Sequence, residues 1–216
     1  MHNGETEPAP HDLLWIDRAL LVPIGKKETV PDWVIKGSGP VVVRRDQPSP
    51  GWVAVGVRGE RRANRFPAFA PLTGIRWCVT PFDLAEQCAW MKAGDRKGYP
   101  ALRALERVAS HLESLNLSWG ITGSVGYELA SGERQISMQS DLDLIIARPE
   151  QLDKSKARSL VSFLERQQCR VDVQLETGWG AVALAEWANA SGKVLLKTNS
   201  GPQLVENPWM AHKQGA

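Results

Sequence analysis

Short apolar runs separated by turn residues dominate the first third of this chain. Residues 41–45 (VVVRR) and 52–57 (WVAVGV) flank the segment DQPSPG, whose proline, glycine and aspartate residues favour a turn. This pattern predicts an antiparallel β-hairpin. We expect residues 11–80 to form a β-rich N-terminal domain with a small core, and residues 1–10 to be a disordered N-terminus.

Helical periodicity begins at about residue 80. Thr80 and Pro81 are suited to the start of a helix that ends at Gly94, and we expect this helix and the linker after it, residues 81–98, to bridge two domains. A second helix is predicted from Pro100, because apolar residues recur there at helical spacing. The remaining predicted elements are two helices and one strand, at residues 154–168, 181–190 and 193–198.

The segment from residue 119 to residue 146 combines apolar strands with acidic side chains. Its second strand carries Asp141 and Asp143 between leucine and isoleucine residues. Because successive strand side chains point to opposite faces, the two aspartates share one face, about 7 Å apart, and their carboxylates can converge on a hard cation. The alternative is an ordinary strand with one solvated face.

A glycine and a serine precede these acids, and they favour the cation-site interpretation over that of an ordinary strand. Gly123 lets the backbone approach a phosphate closely, and Ser124 can donate its hydroxyl to one. The residues that follow can form a helix whose first N–H groups face an anion. The combination indicates a site for a phosphorylated substrate.

A third carboxylate and a lysine lie on later strands. Residues 169–176 (CRVDVQLE) alternate apolar and polar side chains, which places Asp172 on the polar face. If this strand lies beside that of Asp141 and Asp143, the three carboxylates can surround one or two divalent metal ions, as in phosphoryl or nucleotidyl transfer. Lys197 is the best cation for a triphosphate near the acids, although an exposed strand lysine is an equal alternative.

These residues resemble the signature of the polymerase-β-type nucleotidyltransferase superfamily, in which Gly-Ser precedes Asp-x-Asp and a third acid follows on a later strand. A more specific resemblance is to the phosphoribosyl-dephospho-CoA transferases of malonate decarboxylase, also called malonate decarboxylase holo-acyl-carrier-protein synthases. The gap from Ser124 to Asp141 is longer than is usual in the superfamily and resembles this family's own version. The resemblance rests on five segments in both halves of the chain: HDLLW (residues 11–15), VGVRG (55–59), GSVGYELASG (123–132), SDLDLI (140–145) and VLLKTNSGPQLV (194–205).

The resemblance implies an α/β fold and a reaction. Residues 11–80 would be the β-rich domain, and residues 99–216 a nucleotidyltransferase domain with a mixed sheet flanked by helices. The chain would be a cytoplasmic, metal-dependent enzyme. It would transfer the 2′-(5″-triphosphoribosyl)-3′-dephospho-CoA prosthetic group to a serine of the apo acyl-carrier subunit of malonate decarboxylase and release pyrophosphate.

The resemblance also assigns roles to the residues of the site. Asp141, Asp143 and Asp172 would hold Mg²⁺, with two ions expected, and Asp172 would help to deprotonate the acceptor hydroxyl. Gly123 and Ser124 would hold the leaving pyrophosphate.

Two other functions stay open. The first is a nucleotidyltransferase that uses an ordinary NTP on another acceptor. The second is a non-catalytic module that binds a carrier protein through a decayed site. The presence of all three acids together with Gly-Ser argues against decay.

Composition reduces the number of partner classes that we expect. The net charge of +2 argues against a general nucleic-acid binder, which usually has a strongly basic face. No apolar run approaches the ~20 residues of a membrane span, so we expect neither nucleic acid nor membrane as a partner. Three cysteines without CxxC spacing disfavour a disulfide framework or a zinc site and fit a reducing cytosol.

One basic cluster follows the predicted hairpin, in the segment RGERRANRF. Guanidinium groups on a glycine-rich turn suit phosphates, through charge and paired hydrogen bonds. We expect Arg58 and Arg61 to bind the polyphosphate substrate or an acidic carrier protein. A solvated basic loop is the alternative.

Overall fold

Two compact units make up the chain, Met1–Thr80 and Pro81–Ala216. The computed structural model describes residues 7–25, 29–59, 64–148 and 150–210. In the described residues each unit contains one six-stranded sheet, and helices accompany both sheets. The predicted α/β class is therefore confirmed.

The first unit is an antiparallel sheet with strand order β2-β5-β4-β3-β1-β6. Apolar side chains such as Leu14, Val55 and Phe66 form its core. The predicted hairpin is confirmed, since Val43 pairs with Val55. The elements are β1 (Leu13–Ile16), β2 (Val22–Pro23), α1 (Asp32–Ile35), β3 (Val41–Val43), β4 (Trp52–Arg58), β5 (Arg65–Pro71) and β6 (Ile75–Val79).

The residues just before β1 are held by hydrogen bonds. The backbone N–H of Ala9 donates to the Asp12 carboxylate at 2.8 Å, and the N–H of His11 donates to the Val43 carbonyl at 3.0 Å. Residues 7–10 therefore differ from the expected disorder, because a nearby carboxylate and a strand carbonyl satisfy this backbone. Residues 1–6 of the same prediction lie outside the described residues.

The second unit has a mixed sheet, as predicted, with strand order β12-β11-β10-β9-β8-β7. Its strands are β7 (Trp119–Ile121), β8 (Leu142–Ala147), β9 (Val171–Glu176), β10 (Ala181–Ala183), β11 (Val194–Thr198) and β12 (Gly201–Val205). Its helices are α2 (Pro81–Glu86), α3 (Pro100–Ser114), α4 (Gly123–Ser131), α5 (Lys154–Leu164) and α6 (Leu184–Asn189). β8 and β9 run parallel, and α5 connects them, as a parallel pair requires.

The predicted helix from residue 80 to residue 94 is wrong in its length. α2 ends at Glu86, and Cys88 adopts a left-handed conformation with φ of 47°. The chain then turns through a short 3-10 segment that places Trp90 against Trp119, with ring centroids 5.8 Å apart. Burial of this tryptophan pair accounts for the break, and residues 81–98 belong to the second unit.

The predicted helix over residues 181–190 is wrong in its first three residues. Residues 181–183 form β10, in which Val182 pairs with Leu175 of β9, and α6 begins only at Leu184. The predicted helices α3 and α5 are confirmed, although α5 ends at Leu164 rather than at residue 168. Within the described ranges, no helix is long and apolar enough to cross a membrane.

Candidate active site

Three carboxylates meet on one face of the parallel strand pair. Asp143 on β8 lies directly opposite Asp172 on β9, and Asp141 immediately precedes β8. One carboxylate oxygen from each residue lies within 4.8 Å of the other two. The structure thus brings together the three acids that the sequence singled out. Strand alternation sets the sheet face on which they lie, and the parallel pairing of β8 and β9 places Asp143 beside Asp172.

This donor set fits Mg²⁺. Its ligand atoms are carboxylate oxygens, which hard cations prefer. Two oxygens on opposite sides of one Mg²⁺ lie about 4.2 Å apart, which is compatible with oxygens that lie within 4.8 Å of one another. Because like charges at this separation repel, a bound cation would also stabilise the arrangement.

Gly123 lies directly against the cluster. Its φ is +65°, and a Cβ built on it would lie only 2.0 Å from Oδ2 of Asp143. The backbone carbonyl of Asp143 accepts a hydrogen bond from the N–H of Thr122 at 2.9 Å, which fixes β8 beside the start of α4. A glycine is therefore required here both for its backbone conformation and for the space that Asp143 occupies.

The N-terminus of α4 lies next to these acids and has the groups that could bind an anion. The first N–H groups of a helix have no intrahelical acceptor and carry partial positive charge. Ser124, the second residue of α4, is half-buried at this end. A polyphosphate that reached the acids through a cation could therefore contact these N–H groups as well.

Sequence reasoning missed Glu128, which anchors the long segment between Ser124 and Asp141. This buried carboxylate of α4 accepts hydrogen bonds from the N–H groups of Gln135 and Ile136, at 2.5 and 2.7 Å, and pairs with Arg96. It therefore ties down the connection that leads from α4 to Asp141. The available signal was an acidic residue within the apolar segment GYELA.

Gly126 is a second missed residue of the same helix. A Cβ at this position would lie 2.5 Å from the carbonyl oxygen of Ile121. Only glycine lets α4 approach the end of β7 this closely, which holds the N-terminus of α4 beside β8. The spacing of two glycines at the start of the helix was the available signal.

Arg170 is a third missed residue. Its Nε and Nη2 atoms donate to Oδ1 of Asp172 at 3.0 and 2.9 Å, and Nη2 lies 2.8 Å from Oδ2. Hydrogen bonding to Asp172 and its charge raise the pKa of Arg170, and the charges of Asp141 and Asp143 raise it further. The Arg-x-Asp spacing was the signal, since it puts both side chains on one strand face.

The remaining predicted residues lie at different places. Lys197 on β11 is exposed, and its Nζ donates to Oε1 of Gln174 at 3.4 Å. Gln174 follows Asp172 by two residues on β9, so Lys197 reaches the same face of the sheet as the acids. Arg58 ends β4 in the first unit, paired with Arg65, and Arg61 lies outside the described residues.

Cys169 lies near the acids but is poorly suited to act as a nucleophile. Its thiol is half-buried, and burial, followed by the charge of Asp141, raises its pKa. The thiolate is the reactive form, so the raised pKa lowers its reactivity at neutral pH. The acids, rather than this cysteine, are the chemical groups of the site.

The fold and the site together define a class of protein. The second unit is an α/β domain whose mixed sheet carries clustered carboxylates on adjacent strands, beside a helix that begins at a glycine. The family model described as "Phosphoribosyl-dephospho-CoA transferase MdcG C-terminal domain" matches residues 87–208, and the corresponding N-terminal domain model matches residues 9–81. The chain belongs to the phosphoribosyl-dephospho-CoA transferase family.

Curated relatives agree over nearly the whole length. The chain is 43% identical over 209 residues to a phosphoribosyl-dephospho-CoA transferase of Pseudomonas putida, covering 97% of this chain and 98% of the relative. It is 42% identical over 220 residues to the protein of that name from Azotobacter vinelandii, with coverage of 97% and 98%. Identity to the Pseudomonas aeruginosa protein is 40% over 205 residues, with 94% of each chain covered. No solved structure matches the chain.

Proposed function

We propose that this chain transfers the 2′-(5″-triphosphoribosyl)-3′-dephospho-CoA group to a serine of the apo acyl-carrier subunit of malonate decarboxylase and releases pyrophosphate. The family names the transferase activity and the dephospho-CoA-derived substrate. The observation that carries the finer assignment is the cluster of Asp141, Asp143 and Asp172 against Gly123 at the start of α4. No disulfide joins the three cysteines, all of which the structure describes, and this suits a cytoplasmic enzyme.

The reaction is a displacement at phosphorus. The serine oxygen of the carrier forms a bond to the phosphorus that is attached to the ribose, and the bond from this phosphorus to the bridging oxygen of pyrophosphate breaks. The serine proton leaves to a base, and the Asp172 carboxylate on β9 is our candidate for this role. The products are a phosphodiester-linked holo carrier and pyrophosphate.

The residues of the site divide this work between them. Bound Mg²⁺ at Asp141, Asp143 and Asp172, with two ions expected, would supply charge neutralisation for the polyphosphate. The N–H groups at the start of α4 and the Ser124 hydroxyl would hold the departing pyrophosphate. Lys197 would add positive charge from the same sheet face.

The first unit would contribute recognition. Arg58 ends β4, and Arg61 follows it in the basic segment RGERRANRF, which suits either the polyphosphate or an acidic carrier surface. Neither arginine belongs to the strands that supply the acids, so their expected contribution is to binding rather than to the chemical step.

Intact-mass spectrometry of the carrier tests this function directly. The purified enzyme is incubated with the apo carrier and Mg²⁺, and with either the triphosphoribosyl compound or each of the four NTPs as donor. The proposal expects a mass increase equal to the phosphoribosyl-dephospho-CoA group, with one pyrophosphate released per modification. Modification by an NTP alone would instead indicate an ordinary nucleotidyltransferase, and binding without modification would indicate a non-catalytic carrier-binding module.

A further inference from the structure

A cavity of about 500 Å³ lies between α3, α5 and the sheet of the second unit. Ile146 of β8, Leu175 of β9 and Leu160 of α5 line it, and all three are buried. Ile146 pairs with Leu175, and each lies three positions beyond an acid of the cluster. Strand alternation therefore puts this cavity on the sheet face opposite to the acids, about 10 Å further along the strands.

The cavity has the size and the surface of a small-molecule site. Such sites have volumes of about 300–1,000 Å³ and mainly apolar walls. His111 of α3 and Phe163 of α5 add a stacked aromatic pair to the aliphatic lining, with ring centroids 3.9 Å apart. A cavity with such walls suits an apolar group better than it suits water, because water would find few hydrogen-bond partners there.

Positive charge surrounds this apolar space. Arg148, Lys156 and Arg166 line the cavity, and none of its described lining residues is an aspartate or a glutamate. The carboxylate of Asp153, close by in sequence, caps α5 by accepting the N–H groups of Ser155 and Lys156. The charge of the lining therefore favours an anion.

Arg148 has donors that the described part of the chain leaves unused. Its Nε is buried and has no acceptor there, and its guanidinium forms no ion pair with a described residue. Its backbone is fixed, because its N–H donates to the Glu176 carbonyl at 2.8 Å and its carbonyl accepts from the Trp209 indole at 2.7 Å. A buried donor without an acceptor is costly. A small rotation of the guanidinium would present Nε and one Nη to a carboxylate or phosphate in the cavity.

We propose that this cavity is a second binding site, for a small anionic amphiphile. A carboxylate or phosphate would pair with Arg148, and the apolar body attached to it would pack on Ile146, Leu160 and Leu175. Lys156 and Arg166, which are both exposed, would add attraction for the anion at the entrance. The inference does not rest on the proposed transfer reaction, since the cavity and the acids lie on opposite faces of the sheet.

Octanoate is the probe for this site, with octyl phosphate and uncharged 1-octanol as its matched partners. Each is titrated into the full-length ¹⁵N-labelled protein, and the amide resonances are followed by NMR. Octanoate should shift the amide resonances of Leu115 and Phe163 and leave that of Gly123 in place. 1-Octanol should bind at least about tenfold more weakly, because it cannot form the charged pair with Arg148. The tighter binder of the two anions identifies the headgroup.

Two variants test the predicted contacts. Arg148→Gln should weaken octanoate binding by about tenfold, whereas Arg107→Gln, at an exposed residue of α3, should leave it unchanged. Ser159→Trp should block the cavity, because the exposed Ser159 lines it. Ser110→Trp is the matched control: Ser110 lies outside the lining, and both serine hydroxyls donate to the carbonyl four residues earlier, at 3.2 and 3.1 Å.

Several results would overturn the inference. One is that neither anion binds, and another is that 1-octanol binds as tightly as octanoate. Wild-type affinity in Arg148→Gln or in Ser159→Trp would do the same, provided that the amide spectrum of the variant shows a folded protein. Saturating Mg²⁺ and inorganic tripolyphosphate should not change the affinity for octanoate. Competition between them would assign the amphiphile to the acid cluster instead.

Discussion

At the scale of single residues, the Asp143 carboxylate occupies the space beside Gly123 that the Cβ of any other residue would fill. Gly123 has a left-handed backbone, and its missing Cβ leaves room for the Asp143 carboxylate. Residue 123 must therefore adopt a left-handed backbone conformation, and it must also leave the volume of a Cβ to Asp143. These demands can be separated experimentally, because the chain offers a second glycine that meets only the first.

Gly123→Ala should abolish transfer because its methyl group would displace the carboxylate of Asp143. It should also destabilise the protein by about 1–3 kcal/mol through backbone strain. Gly132→Ala is the matched control, since Gly132 has a φ of +75° but no atom within 4 Å of a built Cβ. It should lose similar stability in a thermal melt and keep its transfer activity. Full activity in Gly123→Ala would contradict the geometry described here.

Asp172→Asn should lower the turnover number by at least about 10²-fold, the usual range for loss of a general base, with substrate affinity largely kept. The reason is that Asp172 lies on β9, whereas the groups expected to hold the polyphosphate belong to the start of α4. Turnover and substrate affinity are measured separately, with the exposed Asp95→Asn as the control. A variant that loses affinity but keeps its turnover would make Asp172 a binding residue instead.

At the scale of elements, the connection between α4 and β8 depends on one buried carboxylate. Glu128 joins α4 to Arg96 and to the backbone that precedes Asp141. The position of Asp141 therefore depends in part on an ion pair outside the acid cluster.

Glu128→Gln should destabilise the protein by about 3 kcal/mol, the low end of the range for a broken buried pair, because it leaves the Arg96 side chain, which is 15% exposed, without its counter-charge. Denaturant unfolding measures this loss. The exposed Glu106→Gln on α3 is the control and should change stability by less than about 0.5 kcal/mol. A Glu128→Gln variant as stable as that control would show that the ion pair contributes nothing to the fold.

Local secondary structure could be predicted well from the sequence, whereas pairing between distant segments could be predicted less well. Alternation correctly placed Asp143 and Asp172 on one strand face, although Asp141, predicted on the same strand as Asp143, immediately precedes β8. The hairpin of β3 and β4 followed from its turn residues. Residues 181–183 look helical in isolation, yet pairing with β9 makes them a strand, because tertiary hydrogen bonds outweigh a weak local propensity. Arg96 and Glu128 lie far apart in sequence, so their contact could not be deduced from spacing.

At the scale of the whole molecule, the two units carry different kinds of residues. The second unit supplies the acids, the start of α4 and Lys197, whereas the basic segment after β4 belongs to the first unit. The family match covers both units, with one domain model for each. This division predicts that substitutions in the first unit change recognition and that those around the acids change chemistry.

Arg58→Glu or Arg61→Glu should raise the KM for the triphosphoribosyl substrate or the carrier more than it lowers kcat, as expected for lost ground-state binding. Added salt should partly reproduce the effect, since exposed charges are screened beyond ~8 Å at physiological ionic strength. Steady-state kinetics with each substrate varied in turn measure both constants, and Lys36→Glu, at the residue that follows α1, is the control. Unchanged KM values for both substrates would show that these arginines are solvated basic residues without a role in binding.

The central claim is that Asp141 and Asp143 carry a metal-dependent transfer without being needed for folding. The most direct measurement is the yield of holo carrier, by intact mass, for the metal-stripped wild type across a Mg²⁺ titration and for Asp141→Asn and Asp143→Asn at saturating Mg²⁺. We predict no transfer by the wild type in EDTA, full recovery with Mg²⁺, and no transfer by either variant. The melting temperatures of both variants should be equal to or slightly above that of the wild type, because one repulsive charge is removed. Transfer at the wild-type rate in EDTA, or by either variant, would contradict the account.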